Sequence, residues 1–237
     1  MNNEIIKANS RGRANHGWLQ SFHTFSFASY YNPKMMGFGA LRVLNDDTIA
    51  PSMGFSTHSH RDMEIISVPL KGSLKHKDSM GNEYVIGEDE IQVMSAGTGV
   101  SHSEFNNSSH EEAQFLQIWI MPKKLGVRPR YLQKSFKQEE RLGQFQLIVS
   151  PDGRDHSLEI NQDAFISMIK LESGQNCDYQ KHAKENGVFF FNMSGKARVD
   201  GMDLDAQDSY ASESKDQLLI EGREGAELLI LEVPMLR

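Results

Sequence analysis

Apolar residues recur along the chain in short continuous or alternating runs: 39–44, 64–70, 90–94, 115–121, 144–149, 165–171, 188–193, 217–220 and 227–233. Clusters of turn-forming residues separate them, at Asn45-Asp46-Asp47, Met80-Gly81-Asn82, Pro151-Asp152-Gly153, Glu172-Ser173-Gly174 and Asp200-Gly201. Apolar runs this short, punctuated by Gly, Asn and Asp, predict strands joined by tight turns, hence an all-β sandwich or barrel. Helical periodicity is weak. The candidate helices, 133–142 and 180–186, are short.

The pattern also repeats. In the first half, the run ending at Leu70 leads to Gly72, a polar strand, a turn at Gly81, then Gly87-Glu88-Asp89. In the second half, the run ending at Met193 leads to Gly195, a polar strand, a turn at Gly201, then Ala206-Gln207-Asp208. Each half closes on an apolar strand ending in proline, FLQIWIMP and ELLILEVP. Two similar β units explain this, with a boundary in the polar stretch 123–141.

Composition narrows the chemistry. The 237 residues carry a formal charge of −7, which argues against a protein that binds nucleic acid by neutralising phosphates. No apolar run is long enough to cross a bilayer, and the opening MNNEIIKANSRGR lacks the apolar core of a secretory leader. A single cysteine, Cys177, excludes an intrachain disulfide and a cysteine-based zinc site. A soluble protein of a reducing cytoplasm is expected, and any metal site must use His and carboxylate ligands.

Such ligands stand out twice. His58 and His60 are two residues apart within GFSTHSHRDMEIISVPLKG, and so are His102 and Glu104 within GEDEIQVMSAGTGVSHSEFN. On a strand, side chains at i and i+2 share a face, so each pair can meet one ion without bending the backbone. One such pair among nine histidines carries little weight. Two pairs, each beside glycine-rich turns and an apolar strand, point to a single site. Three imidazoles and a carboxylate suit a divalent transition ion with open positions: Fe, Ni, Cu, Mn or Zn rather than Ca or Mg.

These residues resemble the two cupin motifs: Gly54-X3-His58-X-His60-X3-Glu64-X7-Gly72, then Gly87 to Gly97 followed by His102. The segments HGWLQSFHTFSFASYYNP, GALRVLNDD, THSHRDMEIISVPLKGSLKHKDSMGN, QVMSAGTGVSHSEFN and LQIWIMP resemble, more closely, the pirins of the bacterial quercetinase type. The resemblance covers most of residues 11–135, and the second half matches more loosely. It implies a bicupin: two β-sandwich or jelly-roll barrels packed face to face with a few short helices. A metal-binding cupin domain would occupy residues 1–133 and a metal-free one residues 134–237. The pirin ligands fall on His58, His60, His102 and Glu104, with one ion per chain and iron(II) the first choice. Glu64, the general cupin ligand position, becomes a residue that orients an imidazole, a structural residue, or a strand residue at a solvent-facing rim. Ser95 stands where the usual proline would be, and two extra residues separate Gly97 from His102.

In the second half, aligning Gly195 with Gly72 puts Lys181 and Ala183 at the ligand positions. The activity implied is flavonol 2,3-dioxygenation: ring cleavage by O2 with release of carbon monoxide, Glu104 acting as ligand and base. The partners are then a planar phenolic substrate and O2, with no nucleic acid and no membrane. The alternative is a non-catalytic pirin that responds to redox state and acts through protein partners. The aromatic segment His16 to Tyr31 reads as packing, or as a slot over the cavity for a flat substrate.

Overall fold

A computed structural model of the chain describes residues 3–236. Met1 and Asn2, where the segment read for a leader begins, lie outside them. The regular elements among the described residues are almost wholly strands, arranged in three sheets. A seven-stranded sheet runs in the order Arg130–Ser135, Glu90–Ser95, Glu64–Lys71, Ala113–Ile120, Leu41–Ile49, Leu19–His23, Gly12–Asn15. A four-stranded sheet runs Gly54–His60, Val100–Asn106, Leu74–Asp78, Glu83–Ile86. The third sheet has nine strands and is built mainly from the second half, with the long strands Asn186–Val199 and Gln217–Pro234 at its centre. The short strand Glu4–Ile6 joins this third sheet, antiparallel to Ser209–Ala211.

Strand alternation explains how the layers stack. On Glu64–Lys71, Ile66 and Val68 face one way and Ile65 and Ser67 the other. Ile66 and Val68, with Leu116 and Ile118, pack against Ile166, Phe189, Leu229 and Leu231 of the nine-stranded sheet, all buried. Each such aliphatic side chain removed from water contributes about 1.5–3 kcal/mol. The other face of the seven-stranded sheet meets the four-stranded sheet, where Leu19, Ile49 and Phe115 pack on Leu74 and Ile86. The interior of the second half is filled by Tyr179, Phe190, Tyr210, Leu218 and their neighbours.

Several local expectations need correction. Asn45-Asp46-Asp47 is not a turn. It lies inside strand Leu41–Ile49, and all three residues are buried. The segment 133–142 is not a helix: it completes strand Arg130–Ser135 and then forms the single 3-10 turn Gln138–Arg141. The segment 180–186 is a turn after strand Asn176–Gln180, tied down by Glu232, which accepts the backbone N–H groups of His182 and Ala183. The runs 217–220 and 227–233 belong to one strand, Gln217–Pro234.

Candidate metal centre and its cavity

The two paired motifs sit on adjacent antiparallel strands of the four-stranded sheet. In that register His102 lies opposite His58 and Val100 opposite His60, with an irregularity between His102 and Glu104. Gly54 opens the first strand because the partner backbone comes too close for a side chain: a Cβ there would stand 2.3 Å from the Glu104 carbonyl oxygen. His58, His60 and His102 converge, with ring centroids 4.4 to 4.9 Å apart and ligand atoms within 4.8 Å of one another. Glu104 joins the cluster through His102: Glu104, His102 and His76 form a second triad at the same spacing, and all three are buried.

The donor set fits a transition ion. His58 Nδ1 lies 2.8 Å from the Ser56 carbonyl oxygen, to which it donates, leaving Nε2 as the lone-pair nitrogen. Among the described residues, both ring nitrogens of buried His102 lack a hydrogen-bond partner. A buried polar atom left unpaired is costly, and a cation would satisfy it. Burial, reinforced by neighbouring His58, pushes His60 down to about 4, and burial pushes His102 lower still. Both rings are therefore neutral, as ligation requires. Glu104 is pushed up to about 7 by burial, against the pull of hydrogen bonds from Ser67 Oγ (3.2 Å) and Gln117 Nε2 (3.0 Å).

The cluster opens into a cavity of about 430 Å³ whose lining includes the buried Glu104. Phe27, Phe55, Trp119 and Leu19 give it apolar walls, and Trp119 meets the edges of both His60 and Phe27. The aromatic segment thus divides. His16, His23 and Phe27 line the cavity, whereas Phe25 is buried against Phe189 in the core between the halves.

Glu64 takes the structural one of the roles expected of it. It is fully buried, so it faces no solvent, and it lies on the Ile66 side of its strand, away from the histidines. Its Oε2 accepts from Ser95 Oγ at 2.7 Å and from the backbone N–H of Asn161 at 3.2 Å, tying the two halves together. Ser95, in the place of the usual proline, supplies that bond.

Three neighbours of the site escaped the sequence reading. His76 is fully buried and reaches Asp78 Oδ2 through Nε2 at 3.3 Å. Tyr131 packs on His76 with centroids 4.8 Å apart. Asp47 lines the cavity from the seven-stranded sheet. The alternation Leu74, His76, Asp78 carried a signal for the first; the other two depend on contacts between distant strands.

In the second half, Lys181 Nζ donates to the carbonyls of Lys184 and Asn186, and His182 stacks on Phe165 with centroids 4.3 Å apart.

Comparison with known proteins agrees with this geometry. Residues 6–120 match the family model "Pirin", and residues 147–233 match "Quercetinase C-terminal cupin domain". A protein of Escherichia coli (strain K12) named quercetin 2,3-dioxygenase is 44% identical over 97% of this chain and 98% of its own. This chain belongs to the pirin family. A pirin-like protein of Caulobacter vibrioides is 39% identical over 93% of this chain and 95% of its own. Among solved structures, the bacterial pirin YhhW of Escherichia coli in complex with nickel(II) superposes with a TM-score of 0.93 at 42% identity, covering 98% of this chain and 99% of that one. The fold is therefore the two-domain cupin fold of the pirins. No helix among the described residues is long and apolar enough to cross a membrane.

Proposed function

We propose that this pirin is a metal-dependent dioxygenase that opens the central ring of a flavonol with O2. One O2 is consumed and one carbon monoxide leaves per flavonol, the other atoms remaining in the ring-opened ester. His58, His60, His102 and Glu104 are assigned as ligands of one divalent transition ion. The observation that carries the reading is a buried carboxylate, Glu104, grouped with His102 and sharing the wall of an aromatic-lined cavity with His58 and His60. The names of the relatives support the substrate class. Iron(II) and nickel(II) head the candidates, the second because the E. coli pirin structure contains it.

When bound, such an ion supplies Lewis acidity that lowers the pKa of a substrate hydroxyl. The rest is done by the chain itself. Glu104, at the cavity wall, is placed to take the 3-hydroxyl proton of a flavonol. Ser67 and Gln117 hold the two oxygens of that carboxylate, one each, and so orient it. Phe27, Phe55 and Trp119 offer ring surfaces to a planar substrate and keep water from the electron-rich anion.

The test is aerobic loss of quercetin absorbance together with O2 uptake. The protein is reconstituted with each metal in turn and assayed beside Glu104→Gln. Turnover with one metal, lost in the variant, supports the reading. No turnover in protein that binds one ion per chain rejects it in favour of a non-catalytic role through partners.

A further inference from the structure

The cavity holds a second polar group that the proposed reaction does not use. Asp47, on strand Leu41–Ile49, lines it, and Ser21 of the neighbouring strand stands directly across the register. Ser21 Oγ donates to Asp47 Oδ1. Among the described residues this is the only hydrogen bond the Asp47 carboxylate makes, and no Lys or Arg pairs with it. Its chain neighbour Asp46, on the opposite face, is treated differently: Arg11 approaches at 3.7 Å and Gln114 donates at 2.8 Å. A buried carboxylate with one hydroxyl partner costs stability, yet it keeps several lone pairs free to accept. A hydroxyl entering the cavity would supply the missing donor.

The register gives the spacing. Asn45 lies opposite Gln117, which donates to Glu104. Asp47 shares the face of Asn45 and lies two residues farther on, about 6–7 Å along the strand. A ligand with its reacting hydroxyl at Glu104 thus meets Asp47 with a second hydroxyl carried on the same aromatic ring system. The cavity, at about 430 Å³, has room for one.

Resting on the function proposed above, we infer that Asp47, positioned by Ser21, is a specificity residue that accepts a hydrogen bond from a second, remote hydroxyl of a polyhydroxylated aromatic substrate. Substrates bearing only the reacting hydroxyl lose this anchor.

The experiment compares quercetin with 3-hydroxyflavone, which carries the reacting hydroxyl alone. Dissociation constants are measured without O2 by fluorescence titration of the metal-loaded protein, and kcat/KM is measured in air. The proteins are the unaltered chain, Asp47→Leu, which is close in shape but cannot accept, and Asp47→Asn, which keeps a weaker acceptor. Metal content and Tm are recorded for each. The expected result is a preference for quercetin of about ten-fold or more in the unaltered protein. It falls to within about two-fold in Asp47→Leu and is intermediate in Asp47→Asn, at unchanged metal content and with the Tm of Asp47→Asn not lowered. If Asp47→Leu does not fold, Asp47→Asn carries the test and must lower the preference by about three-fold or more. Equal affinities in the unaltered protein, or a preference that survives the substitution, overturn the inference and leave the flavonol reading intact. Failure of the unaltered protein to bind either compound overturns the flavonol reading and the assignment of Asp47 with it.

Discussion

His58 stands directly across the strand pair from His102, with ring centroids 4.4 Å apart, and only the second is fully buried. Among the described residues neither His102 nitrogen has a hydrogen-bond partner, which leaves both free to meet the proposed ion. His102→Ala or His58→Ala is expected to reduce bound metal from about one ion per chain to a small fraction. The β-rich circular dichroism spectrum should be retained. Elemental analysis of purified variants checks this, and full metal content in either variant would refute the site.

Glu104 differs from the histidines in being held by two protein hydrogen bonds, from Ser67 and Gln117. Glutamine fits the same space but cannot take a proton. Glu104→Gln should retain more metal than His102→Ala while losing about 100-fold or more in kcat. Single-turnover kinetics on metal-matched samples read the difference, and undiminished kcat would remove Glu104 as the base.

Asp47 makes stability depend on pH. Burial pushes its carboxyl up to about 7, whereas in the unfolded chain it titrates near its ordinary value of 3.8. Between these values the unfolded state ionises and the folded state resists. Stability is fully present below the lower value and is lost as pH rises through the higher one. The loss from this one group is on the order of 4 kcal/mol. Asp47→Asn, which cannot ionise, should therefore exceed the unaltered protein in stability most at pH 8, with the gap closing toward pH 5. Urea unfolding of both proteins across this range is the check; a constant gap would mean that Asp47 is already charged at low pH.

Glu64 occupies the sequence position of a cupin ligand but joins Ser95 to Asn161 instead. Glu64→Ala leaves the buried Ser95 hydroxyl unpaired, at about 1–3 kcal/mol, and frees the half-buried Asn161 N–H. Metal content should stay at one ion per chain while the urea midpoint falls. Loss of metal without loss of stability would place Glu64 in the site after all.

The sequence by itself determined the all-β class and the pairing of the candidate ligands. Both are local signals: a strand repeats every two residues, so His58 with His60, and His102 with Glu104, must share faces wherever the strands lie. Only the tertiary structure decided which polar residues go inside. Asn45-Asp46-Asp47 reads as a turn because polar residues ordinarily remain in water, yet it crosses the middle of a sheet. Asp46 is admitted there by Arg11 and Gln114, and Asp47 by Ser21, partners between 26 and 68 residues away in the chain. Likewise, whether Glu64 meets the histidines or the other half depended on which sheet covered its face. Burial of a charge is decided by partners brought from elsewhere in the chain, and no periodicity within a strand records them.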